Sequence, residues 1–211
     1  MPTVLPISSR QVMPWKNGGG STTEILVWPP EADLASFAWR ISLATIATPG
    51  PFSSFPGIDR SLSLVSGAGV DLQVEDGELQ QIQLRLDDQM QGQQTHQFRG
   101  EAKVHASLVD GTTIDFNVMT RRNLCHHTFE RFALQGEKTW QHSAQYSLLF
   151  VAAAAPEAFL TCRTGAGASM REQRLGLHDA LLLSADDAHE WQLHAEQAVT
   201  IFSIHIFMQE D

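Results

Sequence analysis

Asp115-Phe116-Asn117-Val118-Met119-Thr120-Arg121-Arg122 is the stretch whose reading decides the fold. Read as a β-strand, it alternates. Phe116 and Val118 fall on one face, and Asp115, Asn117 and Met119 on the other. The first face has the character of a core. The second carries a carboxylate and an amide, which tolerate burial only when hydrogen-bonded. A solvent face would accommodate them without further explanation. Both readings keep the strand.

Working outward, the same pattern recurs on either side. Asp110-Gly111 makes a turn back to a strand over Val104 to Val109. Thr22 to Trp28, Phe37 to Ala47, Arg60 to Val65, Val70 to Val74 and Leu79 to Leu86 read as further strands. Turn residues crowd Thr48 to Asp59, and Asp76-Gly77 is a hairpin signal. Asp87 to His96 is polar and Gln-rich, which predicts a surface loop. After the central stretch, Cys125 to Leu134, Tyr146 to Ala153, Phe159 to Arg163, Leu181 to Leu183, Ala188 to Leu193 and Ala198 to Phe207 alternate or run apolar. Gly165-Ala166-Gly167 echoes Gly67-Ala68-Gly69, as a duplicated unit would. No segment sustains a helical period, so the pattern predicts an all-β sandwich or barrel.

Composition narrows the function classes. The chain has 211 residues, 43% of them hydrophobic, which is enough for one large domain or two small ones. A formal charge of −10 with only 14 Lys and Arg argues against a nucleic-acid or anionic-membrane surface. The longest apolar run, Leu148 to Ala155, is far short of the ~20 residues of a membrane helix. The N-terminal Met1-Pro2-Thr3-Val4-Leu5-Pro6 lacks the basic start and apolar run of a signal peptide. With only Cys125 and Cys162, this predicts a cytoplasmic protein with reduced thiols.

Several familiar chemistries do not fit. His126-His127 with Glu130 suggests a metal, but neighbouring strand residues point to opposite faces. No His-x-His or His-x-x-x-His spacing occurs, so no metal or other cofactor is expected. Cys125 lies beside His126, yet sequence adjacency is not the spatial pairing a nucleophile needs. A small buried thiol is the simpler reading. Gly18-Gly19-Gly20 is followed by neither Gly-Lys-Ser/Thr nor a helical pattern, so it is not a phosphate loop. It permits tight turning or close backbone approach, as a plain loop also would.

What remains is a set of polar side chains among apolar strands. Trp15, Lys16, Asn17, Glu24, Arg40, Arg60, Asp115 and Asn117 are the candidate ligand-binding residues. Arg40 lies on the face opposite Trp39, Ile41 and Leu43, whereas Arg60 shares the face of Leu62 and Leu64. An inward arginine is costly unless it meets a carboxylate. That carboxylate is either internal, from Asp115 or Glu24, or belongs to a small ligand held by the guanidinium fork.

Three motifs carry a resemblance. They are Pro14-Trp15-Lys16-Asn17-Gly18-Gly19-Gly20 with Thr23-Glu24-Ile25; Trp39-Arg40-x-Ser42 with Gly50-Pro51-Phe52-Ser53-x-Phe55-Pro56-Gly57-x-x-Arg60; and Asp115 to Arg121. In this order they resemble the HutD/Ves family. The resemblance implies a bicupin, two jelly-roll-like β-barrels in one chain, divided here into residues 1–120 and 121–211. In the HutD branch it implies a link to histidine utilisation through binding of an intermediate such as urocanate or formiminoglutamate. The Ves branch is associated with cold and stress response. The missing cupin metal motif departs from metal-binding cupins.

The expectation is therefore a metal-independent protein that binds a small anionic metabolite and has a regulatory role, rather than an enzyme. The alternatives are a cupin-type isomerase or epimerase, with Asp115, Glu24 or a nearby histidine as acid or base, and an interaction module. A homodimer is expected from fold analogy alone.

Overall fold

A computed structural model of the chain describes residues 1–16, 18–86 and 94–209. Its strands, in chain order, are β1 (Thr3–Leu5), β2 (Val12–Pro14), β3 (Gly20–Trp28), β4 (Trp39–Ile46), β5 (Gly50–Pro51), β6 (Ile58–Ser66), β7 (Gly69–Asp76), β8 (Glu78–Arg85) and β9 (Thr95–Arg99). They continue with β10 (Lys103–Leu108), β11 (Thr113–Arg121), β12 (Cys125–Gln141), β13 (Tyr146–Ala154), β14 (Leu160–Thr164), β15 (Arg171–Leu175), β16 (Ala180–Ser184) and β17 (Glu190–Met208). The all-β class follows from the period-two patterning and the turn-rich connections. Two compact units result, residues 10–126 and residues 1–9 with 127–211.

The unit of residues 10–126 has two sheets. One runs β2-β3-β4-β11-β6-β9 and the other β5-β10-β7-β8. The central stretch of the sequence is β11, hydrogen-bonded to β4 on one side and β6 on the other. Leu62, Leu64 and Phe98 of the first sheet pack with Val70, Leu72, Leu84, Val104 and Ala106 of the second. Each such fully buried aliphatic side chain contributes about 1.5–3 kcal/mol. This core fills part of the interior between the sheets and leaves the rest to polar groups.

The other unit is built on a sheet ordered β1-β16-β13-β17-β14-β15, with β12 also on β17. β17 is long enough to pair with β14 through Gln192 to His194 and with β13 through Val199 to Ile206. The sequence read it as two strands. Trp140, Leu149, Val151, Leu181, Leu183, Trp191 and Ile201 form its core. Beside them lies a buried polar chain. Trp140 Nε1 donates to Ser203 Oγ at 2.9 Å, and Ser147 Oγ lies 2.7 Å from both His142 Nδ1 and His205 Nδ1.

Five strands were not anticipated: the short β1, β2 and β5, and the longer β9 and β15. Thr95–Arg99 is β9, which begins in the last two residues of the predicted Gln-rich loop, and Gln94 is buried. Residues 87–93 of that loop lie outside the described residues. Arg171–Leu175 is β15, paired with β14 at the end of its sheet.

Candidate functional site

Register across the six-stranded sheet assembles the site. On β11, Met119 stands opposite Arg40 of β4 and Arg60 of β6. Asn117 stands opposite Ser42 and Leu62, and Asp115 opposite Ala44 and Leu64. Glu24 of β3 stands opposite Ser42. Directly opposed residues share a face, so all these side chains point to one side of the sheet. That side is the interior, because Leu62 and Leu64 belong to the core. Asp115 and Asn117 are therefore buried, and the solvent-face reading does not hold.

A cavity of about 890 Å³ opens over this face. Glu24, Arg40, Ser42, Arg60, Asn117 and Met119 line it from the sheet, and Trp15, Lys16, Leu34, Phe52 and Phe55 from the surrounding loops. Of the sequence-predicted residues, Trp15, Lys16, Glu24, Arg40, Arg60 and Asn117 thus meet at one cavity. Asp115 shares their face but not the cavity wall. Asn17 lies outside the described residues.

The two arginines have different surroundings. Arg40 Nε donates to Glu24 Oε2 at 2.8 Å, an internal ion pair. Arg60 is 6% exposed, and its Nε has no hydrogen-bond partner among the described residues. Its guanidinium carbon sits 4.8 Å from the ring centre of Phe98, 5.4 Å from Phe52 and 5.7 Å from Phe55. Ring faces stabilise a cation without consuming its N–H donors, which keeps those donors available to an anion. Burial, with repulsion from Arg40, lowers the Arg60 pKa to about 10, partly offset by Asp115, so it stays a cation at neutral pH.

Asp115 is completely buried, and neither carboxylate oxygen has a hydrogen-bond partner among the described residues. Burial pushes its pKa up to about 7, against the pull of Arg60. Asn117 Oδ1 is also buried without a hydrogen-bond partner among the described residues. An unmet buried polar atom costs about 1–3 kcal/mol, which a ligand with matching groups would recover.

The loop over the cavity explains two of the three glycines, Gly18 and Gly20. Trp15 N donates to Gly20 O at 2.9 Å, and Gly18 N to Trp15 O at 3.0 Å. Gly18 has φ +71°, the left-handed region. A Cβ on Gly20 would lie on the Thr45 carbonyl and against the Trp15 ring. Trp15 Nε1 donates to Thr22 Oγ1 at 2.8 Å, which fixes the indole at the cavity wall. Arg121 braces the loop that carries Leu34, donating to Phe37 O at 2.9 Å and Ala35 O at 2.7 Å.

The donor set does not fit a metal ion. The charged groups on this face are two guanidiniums, one carboxylate engaged by Arg40 and one sunk below the cavity wall. Among the described residues, no three His, Cys, Asp or Glu side chains converge as ligands would. Two fixed cations would also repel a divalent ion.

The HutD family model matches residues 8–202. The chain belongs to the HutD family. A Pseudomonas putida relative, an uncharacterized 21.2 kDa protein in the hutC 3' region, is 35% identical over 83% of each chain. Protein Ves of Escherichia fergusonii is 36% identical over 58% of this chain and 63% of its own length. Among solved structures, HutD from Pseudomonas fluorescens SBW25 is 27% identical, superposes with a TM-score of 0.76 and is covered completely, as is this chain. Lactobacillus farciminis oxalate decarboxylase, at 6% identity, covers 95% of this chain with 85% of its own and a TM-score of 0.65. That likeness shows a cupin-like fold and nothing about activity.

The aromatic surround of Arg60 was missed in the sequence. Phe52 and Phe55 stand inside the second HutD motif, spaced to flank one point on a turn, and that spacing was the available signal. Phe98 had none, because its strand β9 follows the Gln-rich run. Only register places Phe98 opposite Arg60.

Proposed function

We propose that this HutD-family protein binds a small carboxylate in the cavity of residues 10–126, without a metal, and that binding serves control of histidine utilisation. The observation that carries the reading is Arg60: a buried cation at the cavity wall, caged by aromatic rings, with its Nε unpartnered among the described residues. Asn117 supplies the acceptor for an N–H at the ligand's other end, as in urocanate or formiminoglutamate. The association of the P. putida relative with the hutC region supports the pathway. The two compact units fit a bicupin in which the unit of residues 10–126 holds the site.

The test is calorimetry with urocanate and formiminoglutamate on wild type and Arg60→Ala. Wild type binds and Arg60→Ala, still folded, binds on the order of 10- to 150-fold more weakly, the equivalent of about 1.5–3 kcal/mol for a lost charged hydrogen bond. Equal affinity in a folded variant refutes the anion site.

A further inference from the structure

We propose that capture of an anion by Arg60 is coupled to proton uptake by Asp115. The ligand's negative charge replaces that of Asp115 as counter-charge to the buried guanidinium, and the Asp115 carboxylate takes one proton from solvent. This rests on the carboxylate site proposed above. Asp115 is a positioning residue here, acting through Arg60 and not touching the ligand.

The geometry carries the coupling. Asp115 and Arg60 share the interior face of adjacent strands, and Asp115 has no exposed surface. No donor among the described residues hydrogen-bonds its oxygens, so its ionised form is held by charge alone. The other charged or titratable side chains on this face are Arg40 and Glu24, which pair with each other, and His96, opposite Leu62 on β9, while Lys16 and Asp33 line the cavity from the loops. The sheet across the interior presents Val70, Leu72, Val104 and Ala106, none of which titrates. A ligand carboxylate at Arg60 would then set two anions, its own and that of Asp115, against the one buried guanidinium in a poorly solvated interior. Like charges in such a site cannot both persist, and the carboxyl without hydrogen bonds is the one that yields. Burial already holds Asp115 near neutrality, at about 7, so the proton is available under ordinary conditions.

The test is calorimetry of wild type with formate, the smallest carboxylate, and with urocanate, at about pH 8 in two buffers of different ionisation enthalpy. The expected result is uptake of about one proton per ligand bound, and affinity that falls about tenfold per pH unit above pH 8. Asp115→Asn is expected to bind without proton uptake and with affinity flat in pH. Should that variant not fold, carbon-13 carboxyl NMR of wild type serves instead, with Asp115 titrating at higher pH once formate is bound. Binding with equal heats in both buffers overturns the coupling while sparing the anion site. Undiminished proton uptake in Asp115→Asn, or an unmoved Asp115 titration, assigns the proton elsewhere and also overturns it. Failure of both probes to bind refutes the anion site itself, and the coupling with it.

Discussion

Arg40 and Arg60 stand on either side of Met119, one on each strand that flanks β11, yet among the described residues only Arg40 meets a carboxylate at ion-pair distance, Glu24 at 2.8 Å. The pairing divides the labour of the cavity. Glu24 compensates Arg40, and Arg60 is left to the rings and to an incoming anion.

Removing that compensation should favour anions. Glu24→Gln leaves Arg40 charged at the cavity wall, so affinity for a carboxylate rises while stability falls. The stability loss is small, about 1 kcal/mol or less, because Glu24 is 34% exposed and solvent screens the pair. Calorimetry with urocanate and urea denaturation of the variant check both directions.

Gly20 holds the loop to β4 at a distance that no side chain fits. Gly20→Ala would press on the Thr45 carbonyl and the Trp15 ring. A loss of about 1–3 kcal/mol is expected from the forced shift, with altered Trp15 packing as a local readout. An unchanged melting temperature would show that the loop moves freely.

His205, in the unit of residues 1–9 and 127–211, should make stability depend on pH. Burial first, then His142, lowers the His205 pKa, while Glu130 opposes them. A histidine that resists protonation in the fold is protonated more readily when unfolded. Its contribution is present in full above the ordinary histidine value of about 6.5 and is lost as pH falls through that value towards the folded one. Denaturant titrations across this range should show the decline, and His205→Gln should flatten it.

Both thiols should be inert in the native state. Cys125 donates to Ala38 O at 3.3 Å, and burial pushes its pKa to about 11. Burial pushes Cys162 to about 12. Thiolate is the reactive form, so a disulfide reagent should label neither cysteine at neutral pH and both on unfolding. Rapid labelling of the folded protein would contradict this burial.

The sequence by itself determined the strands that alternate strongly and the polar residues that interrupt them. Asp115, Asn117, Arg40 and Arg60 were legible because a period of two assigns each to a face, and the charge of Arg60 on a face shared with leucines needs a reason. Tertiary structure alone decided which faces meet. Arg40 and Arg60 reach one cavity because both register opposite Met119, a long-range choice no local pattern contains. The polar edge strand β15 was hidden because pairing with β14 at the end of the sheet lets most of its side chains face water. Residues 1–9 belong with 127–211 because Thr3 to Leu5 pair with Ala180 to Leu182. Backbone hydrogen bonds between strands are indifferent to side-chain identity, so the sequence near residue 4 carries no mark of the partner it finds.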